Sequence, residues 1–291
     1  MAFKANKTTI TESAQAKAHR LTLIDDLTFE LVPLKSLDDA IQALPAGAEV
    51  SVTASPAKGL GETMAVSERL ATQGFRVVPH IAARMVRDQG HVDELANWFT
   101  QAGITKMFLV GGDAEEPGEF TDAAGFLTAL LEREHGLDTI GVAAYPDSHA
   151  IISDEVLHKA LFEKQALLAE AGIEGYASTQ MCFDPQTIST WLRTQRDNGL
   201  TLPIHLGLPG VVDKARLMKM GVRLGIGQSL GYLKKNKAAV AKMLTSTSYD
   251  PNDLLLPLSQ DLLDQNVSGL HVFTFNNVAA TDAWRVEAGT P

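Results

Sequence analysis

Eight short apolar runs, separated by helical or turn-rich stretches, constrain this chain more than any other feature of its sequence. The clearest is DTIGVAAYPDSH at residues 138–149. Residues 140–144 are apolar on both faces, which suits a parallel strand covered by helices. The run ends in Tyr145-Pro146-Asp147-Ser148-His149, a polar tip where such a strand stops. In parallel α/β folds, ligands gather at the carboxyl ends of strands. The other runs lie at 27–32 (LTFELV), 49–54 (EVSVTA), 76–82 (RVVPHIA), 106–111 (KMFLVG), 176–183, 204–208 and 270–275. Between them, helices are predicted at 37–44, 61–73 and from about 153 to 171. Val92, Leu95, Ala96 and Phe99 form one helical stripe, and Phe126, Ala129 and Leu130 another. Gly103, Gly172 and Gly269 precede strands, as helix C-caps or αβ turns do.

This alternation predicts an α/β protein, a single (β/α)8 TIM barrel over residues 21–291. A doubly wound sheet fits less well, because the glycine-rich dinucleotide fingerprint is missing after the first strand. Extra helical material is expected at 229–265, before the last strand. Residues 1–20 are polar and unpatterned, and read as a flexible N-terminal arm. The formal charge of −10 argues against nucleic acid and against a basic membrane-contact surface. Cys182 is the single cysteine, so neither an intrachain disulfide nor a cysteine-based metal cluster is possible. No apolar run could span a bilayer and the first residues lack a signal-peptide core, so a cytoplasmic protein is expected.

The chemistry-bearing residues fall within or at the ends of the predicted strands. Glu30 sits inside the first, flanked by Phe29 and Leu31. A carboxylate in a barrel interior must be ion-paired or kept protonated, and the second condition makes a general acid. Thr53, His80 and Asp113 close the second, third and fourth strands. His80 also reads as a core imidazole satisfied by backbone. Asp113 follows Gly111 and Gly112, where backbone can approach a ligand closely, although a turn or helix cap is the plainer reading. Gln180 falls in mid-strand and needs partners for both ends of its amide. Lys164 lies on the stripe of Leu157, Ala160, Leu161 and Leu168, either snorkelling to water or reaching an anion.

These strings, in this order, resemble the methylenetetrahydrofolate reductase family, in its short catalytic-barrel form. The anchors are FELVP (29–33), SVT (51–53), PH (79–80), GGD (111–113), AAYPDSH (143–149), TQMCFD (179–184), GLP (207–209) and HVFTFN (271–276). The resemblance implies a flavin-dependent oxidoreductase interconverting 5,10-methylenetetrahydrofolate and 5-methyltetrahydrofolate. It implies Glu30 as the general acid, Asp113 beside the pterin and flavin, and Gln180 as a folate-binding amide. By the same resemblance Thr53, His80, Gly112, Asp113, Tyr145, His149 and Lys164 face FAD, with Thr53 also near the substrate. NADH or NADPH is the implied reductant, with another electron carrier as alternative. The implied partners are a folate and either a second copy of the chain or an electron-donor protein.

Departures from the family pattern shape two expectations. Gly111 stands where an arginine is expected, and a lysine-rich stretch is reduced to Lys164. Met181 replaces an aromatic, Asn277 an arginine, and Ala215 and Lys219 fall near an expected glutamine and phenylalanine. FAD is therefore expected to bind weakly and NADH to be a poor reductant. Two other classes stay open. One is a folate-binding or electron-transfer subunit that needs a partner reductase. The other is a metal-dependent barrel hydrolase using His80, His149, His205 and His271. Against the hydrolase, no HxH pair ends the first strand, and His205 and His271 are placed early in their strands. No metal-ligand set is assigned.

Overall fold

A computed structural model describes residues 12–213, 216–217 and 248–289. Eight parallel strands close into one barrel in sequence order. They are β1 (Thr28–Leu31), β2 (Glu49–Val52), β3 (Arg76–Ala82), β4 (Lys106–Val110), β5 (Thr139–Ala144), β6 (Glu174–Thr179), β7 (Ile204–Pro209) and β8 (Val267–Phe273). Closure pairs Thr28 with His271 and Glu30 with Phe273 across β1 and β8. The helices are α1 (Ala14–Asp25), α2 (Leu37–Gln42), α3 (Leu60–Thr72), α4 (Gln89–Ala102) and α5 (Ala123–Leu131), then α6 (Asp154–Ala171), α7 (Pro185–Asp197), α8 (Asn252–Asp264) and α9 (Val278–Gly289). The expected (β/α)8 barrel is thus the observed one, and its main core lies between the strands and the helix ring. No helix among the described residues is long and apolar enough to cross a membrane.

Local signals account for most boundaries. Asp88 and Ser153 accept backbone N–H groups as N-caps of α4 and α6, and Gly103 and Gly172 end those helices in left-handed conformation. Two expectations change. The arm predicted for residues 1–20 is helical from Ala14 onward, capped by Ser13 and packed on α8 and α9. Its Arg20 is buried against Glu12 at 2.8 Å. Gly269 lies inside β8 rather than before it, where a Cβ would meet the His205 ring at 2.8 Å. The helical material expected at 229–265 is represented by α8, while residues 218–247 lie outside the described residues.

The amino-terminal end of the barrel is filled by a charged and aromatic plug. Lys106 Nζ on β4 donates to both oxygens of Glu49 on β2 at 3.0 Å, and lies 4.8 Å from the Tyr176 ring centroid. Tyr176 stacks on His205 at 4.1 Å, and Thr28 donates to Glu49 at 2.6 Å. Gly141 makes room for the phenol, since a Cβ there would lie 2.3 Å from the Tyr176 ring. Burial works to raise the Glu49 carboxyl. The Lys106 charge and the hydrogen bonds from Thr28 and Lys106 overcome it and hold the group below the usual carboxylate range.

Burial first, then the Lys106 and His271 charges, push His205 down to about 3 from an ordinary 6.5. The unfolded chain takes up this proton first as pH falls. His205 therefore leaves stability intact above about pH 6.5 and erodes it progressively toward about pH 3. At ~1.4 kcal/mol per pKa unit, the loss by about pH 4 should be roughly 2–4 kcal/mol. Urea midpoints should fall accordingly. A His205→Leu variant with the same pH dependence as wild type would contradict this.

Candidate active site

The carboxyl ends of the strands open into a cavity of about 880 Å³. Glu30 on β1 lies at its base, 6% exposed. Its Oε2 is 3.0 Å from Nε2 of His271 on β8 and 4.0 Å from Nε2 of His80 on β3. Ser51 Oγ lies 3.4 Å from the same His271 nitrogen. The loop after β8 fixes the end of β1. Thr274 donates its hydroxyl to the Glu30 carbonyl, while Asn276 accepts from Val32 N at 2.9 Å and donates to Val32 O at 2.8 Å. Phe275, between them, lines the cavity with a φ of 49°, a conformation unusual for an aromatic residue.

The surroundings of this acid are largely aromatic. Phe108 meets His80 edge-on at 4.8 Å, and Phe273 lies 5.2 Å from the His271 ring. Burial, with the His271 charge second, holds His80 well below its usual range, so its imidazole is neutral. Its buried Nε2 has no hydrogen-bond partner, and neither does the buried Oγ1 of Thr53. A buried polar atom without a partner carries a desolvation cost that a ligand can relieve.

Asp113 and Gln180 stand higher on the wall. Gln180 follows the end of β6 instead of lying in mid-strand, because β6 stops at Thr179. Its amide oxygen accepts from Met181 N at 2.9 Å, which leaves its NH2 to serve a ligand acceptor. Asp113 is exposed at the rim. Arg84 anchors the loop beyond it by donating twice to the Ala114 carbonyl, at 3.0 and 2.7 Å.

The other expected residues spread further. Tyr145 lines the cavity, and burial raises its phenol so that it stays neutral. His149 is 5.2 Å from the Tyr145 ring but does not line the cavity. Gly112 adopts a φ of 88°, and a Cβ there would lie 2.9 Å from that of Ala82. Lys164 is buried on α6, donates to the Ala160 carbonyl and does not line the cavity. Burial lowers its amine to about 8.

His271 corrects the sequence reading, which set it early in its strand and away from the site. β8 begins at Val267, three residues before the expected start, so His271 is well along the strand and reaches Glu30. His205 does belong to the opposite end, and His149 lies apart. Of the four histidines weighed for a hydrolase, His80 and His271 therefore meet at Glu30, while His149 and His205 lie apart. Ser51, Phe108, Thr274 and Asn276 were not singled out individually, although SVT and HVFTFN contain three of them.

Fold and site together define a (β/α)8 barrel whose mouth holds a buried acid at the base of an open cavity of about 880 Å³. A family model for methylenetetrahydrofolate reductase matches residues 33–285, and the chain belongs to that family. Membership supports a folate one-carbon reductase role. Among solved structures, the chain is similar to a candidate deoxyribose-phosphate aldolase from Toxoplasma gondii ME49, at 10% identity and a TM-score of 0.48, covering 94% of this chain and 98% of that one. It is also similar to a candidate phosphonomutase from Burkholderia cenocepacia J2315, at 17% identity and a TM-score of 0.43, covering 79% of this chain and all of the other. Likenesses this loose carry no functional weight.

The family is generally flavin-linked, and the wall residues fit a flavin ring system. Thr53 Oγ1 and His80 Nε2 are buried donors or acceptors without partners on the cavity wall, whereas Gly112 does not line it. The diphosphate of FAD is less well served. Among the described residues lining the cavity, Glu30, Asp113, Glu115 and Glu116 are acidic and none is lysine or arginine.

Proposed function

We propose that this protein interconverts 5,10-methylenetetrahydrofolate and 5-methyltetrahydrofolate, with Glu30 as general acid. The single observation that carries the reading is the position of Glu30, buried at the base of an open cavity that Asp113 and Gln180 also line. Reduction of the methylene bridge consumes one hydride and one proton. Glu30 delivers the proton to the folate nitrogen released as the bridge opens. In the reverse direction, its carboxylate takes that proton back. His271 donates to Oε2 of the ionised carboxylate and so fixes its orientation. Asp113 accepts from pterin N–H groups, and the free NH2 of Gln180 donates to a ring acceptor. Thr53, His80, Gly112 and Tyr145 would hold the flavin ring, with His149 beside them. FAD supplies hydride transfer when bound. Phe108 and Phe273 line the cavity against the acid's histidine neighbours and lower the polarity on that side.

We read the physiological setting as cytoplasmic and the electron donor as something other than NADH. The chain positions behind the second expectation, Ala215 and Lys219, lie outside the described residues, and Lys164 is turned away from the cavity. Arg216 donates to the Phe275 carbonyl at 2.7 Å.

Two binding measurements test the reading. Calorimetry with 5-methyltetrahydrofolate should give saturable binding, weakened by Gln180→Ala or Asp113→Ala. Equilibrium dialysis should show saturable FAD uptake that is readily lost on dilution. Absence of folate binding in the presence of FAD would overturn the assignment.

A further inference from the structure

We propose that Glu30, His80 and His271 also form a binding site for a zinc-type divalent cation, which inhibits the enzyme by occupying the general acid. The inhibitory half of this inference rests on the folate reading. The site itself rests on geometry. One carboxylate oxygen and two imidazole nitrogens, all from buried residues, lie within 4.8 Å of one another. Two imidazoles and a carboxylate are a ligand set that zinc accepts while keeping a fourth position open. That fourth position faces the cavity, since all three residues line it.

Small movements suffice to close the set. Zinc holds nitrogen and oxygen ligands at about 2.0–2.2 Å, so two ligands of one ion stand no more than about 4.4 Å apart. Glu30 Oε2 and His271 Nε2 are already 3.0 Å apart, and Glu30 Oε2 and His80 Nε2 are 4.0 Å apart. His80 is the group free to adjust, because its buried Nε2 makes no hydrogen bond. That unpartnered nitrogen, on a side chain 8% exposed, is the second and independent sign of a ligand here. Phe108 and Phe273 pack against the two imidazoles, and Ser51 Oγ, 3.4 Å from His271 Nε2, is the contact that the ion would replace.

A bound cation requires the ionised carboxylate. Glu30 could then neither hold nor deliver the proton that opens the methylene bridge. Inhibition should therefore lower turnover even at saturating folate and be reversed by a chelator.

Calorimetry of chelator-stripped wild-type protein with zinc chloride should show one equivalent bound. His80→Ala and His271→Ala, checked for folding by circular dichroism, should each weaken binding by ~10-fold or more. Where a variant fails to fold, anomalous scattering from zinc-soaked wild-type crystals decides. A peak within bonding distance of the three ligand atoms supports the site, and zinc found only elsewhere overturns it. Absence of saturable binding, or binding unaffected by both substitutions, also overturns it. None of these readouts uses turnover, so failure of the folate reading would leave a positive metal result standing. Full folate turnover at saturating zinc would overturn the inhibition.

Discussion

Replacing Glu30 with glutamine should slow folate reduction by ~10²-fold or more while leaving most folate affinity intact. Glutamine keeps the shape of the side chain, and its amide oxygen can still accept from His271 Nε2, now 3.0 Å from the carboxylate. It cannot deliver a proton at any useful pH. The fall should therefore appear in single-turnover rates, and calorimetric affinity should change little. A protein in which Glu30 is only a structural partner of His271 would behave differently, losing stability or affinity while retaining its rate. Equal turnover in variant and wild type would remove Glu30 from the chemistry.

The largest stability effect should come from Lys106→Met. The substitution preserves the aliphatic stem but removes the cation that donates to both Glu49 oxygens. Glu49, 13% exposed, then keeps Thr28 as its hydrogen-bond partner and the more distant Arg76 charge, with Tyr176 beside the vacated position. Breaking a fully buried pair from one side costs about 3–5 kcal/mol, because the surviving charge stays desolvated. This pair, with side chains 22% and 13% exposed, should lose roughly 2–4 kcal/mol. Chemical denaturation should show this loss at neutral pH. It should shrink in acid, where Glu49 can protonate, and a Lys106→Met, Glu49→Gln double variant should recover much of it. A single variant as stable as wild type would mean that water reaches this end of the barrel.

The barrel was legible because each strand is short, apolar on both faces and separated from the next by helical spacing. β3 matches the expected residues 76–82 throughout. β6 was set too late because Met181, Cys182 and Phe183 continue its apolar pattern. Met181 and Phe183 instead join a separate cluster with Val212, Leu217, Tyr249 and Phe275. Helix α1 was hidden for a different reason. Its buried stripe of Ala16, Arg20, Leu23 and Ile24 contains a charged residue, whose partner Glu12 the sequence does not announce. At the site, Glu30 and His80 could be picked out because each stands in or beside an apolar run. Their meeting with His271 could not, since it joins residues 241 apart through closure of β1 on β8. A start for β8 placed three residues late was enough to send His271 to the wrong end of the barrel.

Oxidation of 5-methyltetrahydrofolate with an artificial quinone acceptor tests the central assignment without requiring the natural electron donor. The reaction balances as 5-methyltetrahydrofolate plus quinone giving 5,10-methylenetetrahydrofolate plus hydroquinone. FAD-supplemented wild-type protein should form the methylene product, identified by mass spectrometry, with many turnovers per protein molecule. Glu30→Gln should form it ~10²-fold more slowly. Saturable folate and FAD binding with no methylene product formed would contradict the assignment, and would identify the chain as a folate-binding barrel rather than a reductase.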